Sequence, residues 1–146
     1  MSEADFADVL TELDQLESEL EAVRIVVDEG QDTYAQAPTA REAALRHLDL
    51  AMEHTVESAW TLVEEADWEE PEDSADAIEI LAEEGVIPGR LAVTLIGLEE
   101  YASEHGEAAG WEADTEESFE RLTEAADALA EYLEYVHHFL RELDEE

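Results

Sequence analysis

Cysteine and lysine are both missing from this 146-residue chain, and glycine (6) and proline (3) are scarce. Without cysteine there is no disulfide framework, no thiolate nucleophile and no Cys-ligated zinc or iron–sulfur site. No segment alternates with period two, so strands are not expected. No apolar run approaches the roughly 18 residues that a bilayer-spanning helix needs. A glycine-rich loop after a strand is lacking, as is any Gly-Lys-Ser or Gly-Lys-Thr, which removes the common phosphate-binding signatures. The start, Met1-Ser2-Glu3-Ala4-Asp5, is acidic, unlike the basic opening of a secretory signal, so a soluble cytoplasmic protein is expected.

What the chain has in excess is carboxylate. Forty-three Asp and Glu face six arginines, a formal charge of −37. Such an imbalance repels itself strongly at low ionic strength. Apolar residues still make up 45% of the chain and are regularly spaced, which argues against a disordered acidic tail. The reading that reconciles both facts is a folded protein from a salt-saturated cell of the halophilic archaeal kind. There the Debye length falls to about 3 Å and the repulsion is screened. The alternative is an acidic protein of ordinary cytosol that sequesters a basic partner.

The length suits one domain over 1–146. Ser2 with Asp5 can cap a first helix, along which Phe6, Val9, Leu13, Leu16, Leu20, Val23 and Val27 keep a 3-4 spacing to Gly30. Residues 30–38 read as a loop. Thr39 and Glu42 form a second capping box, opening a helix to Ala66 with Leu45, Leu48, Met52, Val56, Ala59 and Val63 on one face. A short helix spans Ser74–Glu84, stopped by Gly85. A fourth follows Pro88-Gly89 with Leu91, Leu95, Leu98 and Tyr101 inward, ending between Gly106 and Gly110. Thr115 opens a last helix carrying Phe119, Leu122, Ala126, Leu129, Leu133, Val136 and Leu140. The fold class is therefore all-α: an antiparallel bundle of four long helices plus one short one. The seams of the first and last helices either face one shared core or invite a partner helix.

Few residues point to chemistry on their own. His47 and His54 are seven apart on one helix, about 10 Å along its axis, too far to chelate one ion. His137 and His138 point in different directions near a helix C-terminus, whose dipole they complement. Glu134-x-x-His137 is half of the paired Glu-x-x-His signature of a di-iron bundle, and no second copy exists. No metal and no cofactor site is expected. Arg24, Arg41, Arg46, Arg90, Arg121 and Arg141 are too scattered for a nucleic-acid patch, so any RNA contact would rest on stacking, shape and a few hydrogen bonds.

The middle of the chain resembles a known family. Arg41-Glu42-Ala43-Ala44-Leu45-Arg46-His47-Leu48, continuing to Trp60, is similar to the helix opening the core of HepT-like proteins of the HEPN superfamily. Ser74 to Pro88, with Glu84-Gly85-Val86-Ile87-Pro88 and then Leu91-Ala92, resembles the short helix and turn ahead of that family's catalytic helix. The resemblance implies a helical bundle that dimerises, with members acting as RNA-cleaving toxins beside a minimal nucleotidyltransferase antitoxin. It also implies a motif of Arg, a polar residue, a variable spacer and His, commonly followed by Tyr. In such a motif Arg steadies phosphate charge and His handles the proton. Laid without gaps from Leu91, these positions hold Ala102, Ser103, Glu107 and Ala109. A register shifted by two supplies His105 but puts Glu100 where Arg belongs.

Loss of the cation removes transition-state stabilisation on the order of several kcal/mol. The expected function is therefore a degenerate, non-catalytic and dimeric HepT-like component that binds a nucleotidyltransferase-like partner. One alternative is a divergent endoribonuclease using His105 with Arg41 or Arg46. The other is a structural bundle whose likeness to the family is coincidental.

Overall fold

The computed structural model describes residues 6–105 and 115–145, with side chains described over 6–100 and 117–143. Among the described residues there are six helices and no strand: α1 (Ala7–Glu29), α2 (Gln31–Gln36), α3 (Pro38–Glu65), α4 (Ser74–Glu83), α5 (Gly89–His105) and α6 (Thr115–Glu145). The all-α expectation holds, with one helix more than anticipated.

The apolar rhythm of α1 does what its spacing implies. Val9, Leu13, Leu16, Leu20 and Val23 are all buried, and they pack chiefly against α3. The pairing runs antiparallel: His47 meets Glu19, and His54, seven residues further on, meets Glu12, seven residues earlier. Leu122, Leu129, Val136 and Leu140 of α6 enter the same core. Both heptad seams thus face one intramolecular interior. On α5, Leu91, Leu95 and Leu98 are buried as expected, and the helix packs against α4 and α6.

The 30–38 segment is not a loop throughout, because its middle forms α2. Gly30 turns the chain at φ +94°, and the Tyr34 amide donates to its carbonyl at 3.1 Å. Tyr34 is completely buried; its hydroxyl hydrogen-bonds Ser118, and its ring lies 5.3 Å from that of Phe119. Six residues with a single apolar anchor carry no readable 3.6 period, so tertiary packing decides this helix. The Thr39–Glu42 capping box is also absent. α3 begins two residues earlier, at Pro38, with Ala37 as N-cap and no side-chain cap. Proline has no N–H to satisfy and its fixed φ already suits the first helical turn. The Ser2–Asp5 cap and the Gly106 and Gly110 stops lie outside the described residues.

Two helix ends close in the same way. After α4, Gly85 sits at φ +80°, the Val86 amide donates to Leu81 at 2.8 Å, and that of Gly85 to Ala82 at 3.1 Å. This is a Schellman turn, and Val86 and Leu81 are both buried, as the motif's apolar pairing requires. After α3 the same two bonds form, Trp68 to Val63 and Asp67 to Glu64, both 3.1 Å. Here the left-handed position is Asp67 at φ +61°, a residue type that tolerates it better than most.

Candidate functional site

The positions that the family resemblance singles out lie in the second half of α5 and beyond. Glu100 is on α5 and exposed to solvent. Ala102, Ser103 and His105 continue the α5 backbone, but their side chains lie outside the described residues. Glu107 and Ala109 lie outside them altogether.

The part of α5 that leads into these positions is acidic. Glu99 is half-buried, and its Oε2 is a buried oxygen without a hydrogen-bond partner among the described residues. Burial holds this carboxyl above its ordinary pKa of 4.5, and the charges of Asp73 and Glu100 add to the effect. At its other end, α5 carries Arg90, which donates to Glu131 at 3.0 Å and to the Tyr135 hydroxyl at 3.4 Å. That pairing ties the start of α5 to the second half of α6.

Arg41, the cation considered for a divergent site, stands at the start of α3, beside the Tyr34 that packs on the beginning of α6. Its Nη1 donates to the Tyr34 and Ala35 carbonyls, each at 3.2 Å, and its guanidinium carbon lies 5.8 Å from the centre of the Tyr34 ring. These contacts clamp the short α2 onto the start of α3. Arg46 is exposed on α3.

Among the described residues the histidines do not converge on one another. Each of the α3 pair takes its own α1 carboxylate, and His138 pairs with Glu142 one turn on at 3.1 Å. Glu134 and His137 belong to no group of three potential ligands among the described residues. One such group exists where spacing within a single helix gave no sign of it: Glu12 of α1 with His54 and Glu57 of α3. Burial, then a hydrogen bond to Glu12 and the charge of Glu12, holds the Glu57 carboxyl above its ordinary range, while His54 pulls the other way.

A family profile described as Ribonuclease HepT-like matches residues 16–102, more than half of the chain. No curated protein matches the sequence. Among solved structures, the chain is similar to that of a mutant MntA–HpeT toxin–antitoxin, with TM-score 0.73 and 14% identity, covering 89% of this chain and 97% of that one. It is also similar to a tri-AMPylated HEPN toxin of Shewanella oneidensis in complex with MNT antitoxin, with TM-score 0.72 and 14% identity over 89% and 96% of the two chains. At such identity the likeness speaks for the fold.

Proposed function

The chain belongs to the Ribonuclease HepT-like family, and from that membership we propose that it is a non-catalytic, partner-binding component of a toxin–antitoxin-type system. One observation carries this reading: no arginine or lysine occurs between Arg90 and Arg121. No sliding of the motif along α5 or the segment after it therefore supplies the phosphate-binding cation. The family match itself stops at residue 102, where the gap-free motif would start. In place of a cation, this stretch of α5 presents Glu99 and Glu100, whose charge opposes the approach of an RNA phosphate.

The partner surface is kept while the chemistry is lost. Both solved relatives are toxin–antitoxin structures, one of them with MNT antitoxin, which supports a nucleotidyltransferase of that type as partner here. A homodimer in molar salt, within the cytoplasm of a salt-saturated cell, completes the proposal. The fold supplies one feature in its favour: among the described residues α5 packs chiefly against α4 and α6, and its Val93 is 73% exposed.

A second reading is a divergent ribonuclease using His105 with Arg41, which stands beside the Tyr34 that packs on the beginning of α6. Against it, the Arg41 guanidinium already serves the α2 carbonyls. The test is cleavage of structured and single-stranded RNA by the purified chain in 2–3 M KCl. We expect no cleavage above background, and none gained or lost in His105→Ala. Cleavage that disappears in His105→Ala and in Arg41→Ala would establish the ribonuclease instead.

A further inference from the structure

We infer that Glu12, His54 and Glu57 form a binding site for one divalent first-row transition-metal ion of the zinc type, bridging α1 and α3. The inference is independent of the proposed function. His54 and Glu57 are three apart on α3 and so share a face. Glu12 reaches them from α1 because the antiparallel register that pairs His47 with Glu19 also brings positions 54 and 12 together. The three donor atoms all lie within 4.8 Å of one another.

The separations fit a small tetrahedral ion. Bonds of about 2.0–2.1 Å to nitrogen and oxygen place neighbouring ligands roughly 3.3–3.4 Å apart. His54 Nδ1 to Glu12 Oε2 is 3.3 Å, that distance without adjustment. His54 Nδ1 to Glu57 Oε2 is 3.9 Å, and Glu57 is the most exposed of the three at 52%, free to close the gap by a small rotation. Its exposure also gives the ion a path in and leaves room for water as a fourth ligand. The other two ligands are about one-fifth to one-quarter exposed and stand on long, packed helices, so they are held in place.

The charge calls for a cation. Two carboxylates converge here and Glu53 adds a third nearby, yet no arginine forms an ion pair with Glu12 or Glu57 among the described residues. A histidine within the group separates it from the general acidic surface. Imidazole nitrogen with carboxylate oxygen suits zinc and its neighbours, whereas magnesium and calcium favour all-oxygen sites.

The test is calorimetric titration of Zn2+ into the chelator-stripped full chain in molar NaCl, with circular dichroism confirming that each variant is folded. One saturable site per chain is expected. Glu12→Gln, His54→Ala and the more exposed Glu57→Gln should each weaken it at least tenfold, while His47→Ala leaves it within twofold. Co2+ in place of Zn2+ should give the intense visible band of tetrahedral cobalt, lost in His54→Ala. Affinity within twofold of wild type in both His54→Ala and Glu57→Gln would reduce the binding to diffuse attraction by the acidic surface and overturn the site. So would the absence of a saturable phase.

Discussion

Glu99 shows how a single residue can be plain in the sequence and still hide its consequence. Among 43 acids it reads as one more solvated carboxylate, yet the fold half-buries it near Asp73 and leaves one oxygen without a partner among the described residues. Because its folded pKa is raised, the native state holds more protons than the unfolded chain just above pH 4.5. Its contribution to stability therefore falls as pH rises through that window. Glu99→Gln should raise the melting temperature at pH 7–8 by on the order of 1–2 °C, the carboxylate's partial exposure keeping the gain small. The difference should vanish below about pH 4, where Glu99 is protonated in both states. Melting curves in molar salt at both pH values check this, and an equal difference at each would contradict it. The buried hydroxyls were equally invisible in the sequence. Tyr132 is fully buried, hydrogen-bonded to Ser58 at 2.7 Å and to the Thr55 carbonyl at 3.4 Å. Ser58 and Thr55 look like breaks in the apolar face of α3, and only a partner 74 residues away explains the first.

For helices, legibility follows length. α1, α3 and α6 carry 23 to 31 residues each, enough turns for the apolar stripe to declare itself, and most of the periodic residues are buried, with Val27, Val56 and Phe119 only partly so. α2 has six residues and one anchor, so its existence depends on Ser118 and Phe119 in a helix far along the chain. Caps are less legible, because a Ser/Thr-x-x-Glu pattern occurs at many sites and a neighbouring proline can override it. Among the described residues a side-chain cap forms at Asp73, whose Oδ1 accepts the Asp76 amide at 2.8 Å at the start of α4. Asp73→Ala should cost about 1 kcal/mol, the usual value of a lost N-cap. Asp73→Asn should hold stability at or slightly above wild type, since it keeps the cap and removes a charge facing Glu99. Thermal unfolding of the two variants distinguishes them, and equal losses in both would show that the cap is not what Asp73 contributes.

At the scale of the whole molecule the dominant quantity is the net charge of −37. Spread over one small bundle, it should make the fold depend on screening. Below about 0.5 M salt the helices should unfold or their assembly dissociate, as the Debye length grows from about 3 Å at 1 M towards 10 Å at 0.1 M. Circular dichroism at 222 nm from 3 M to 0.1 M KCl is the check, and a signal unchanged at 0.1 M would overturn the salt-adapted reading. The sequence by itself determined the helical class, the long amphipathic elements, the family resemblance and the missing cation between Arg90 and Arg121. All of these are local or compositional, set by periodicity within one helix or by the bare absence of a residue type. Only the tertiary structure decided that the two heptad seams share one core, that α2 exists, that Glu99 is partly desolvated, and that Glu12 meets His54 and Glu57. Each of these depends on which helix lies beside which and in what register. That arrangement comes from the packing of the bundle as a whole, and no single window of sequence encodes it.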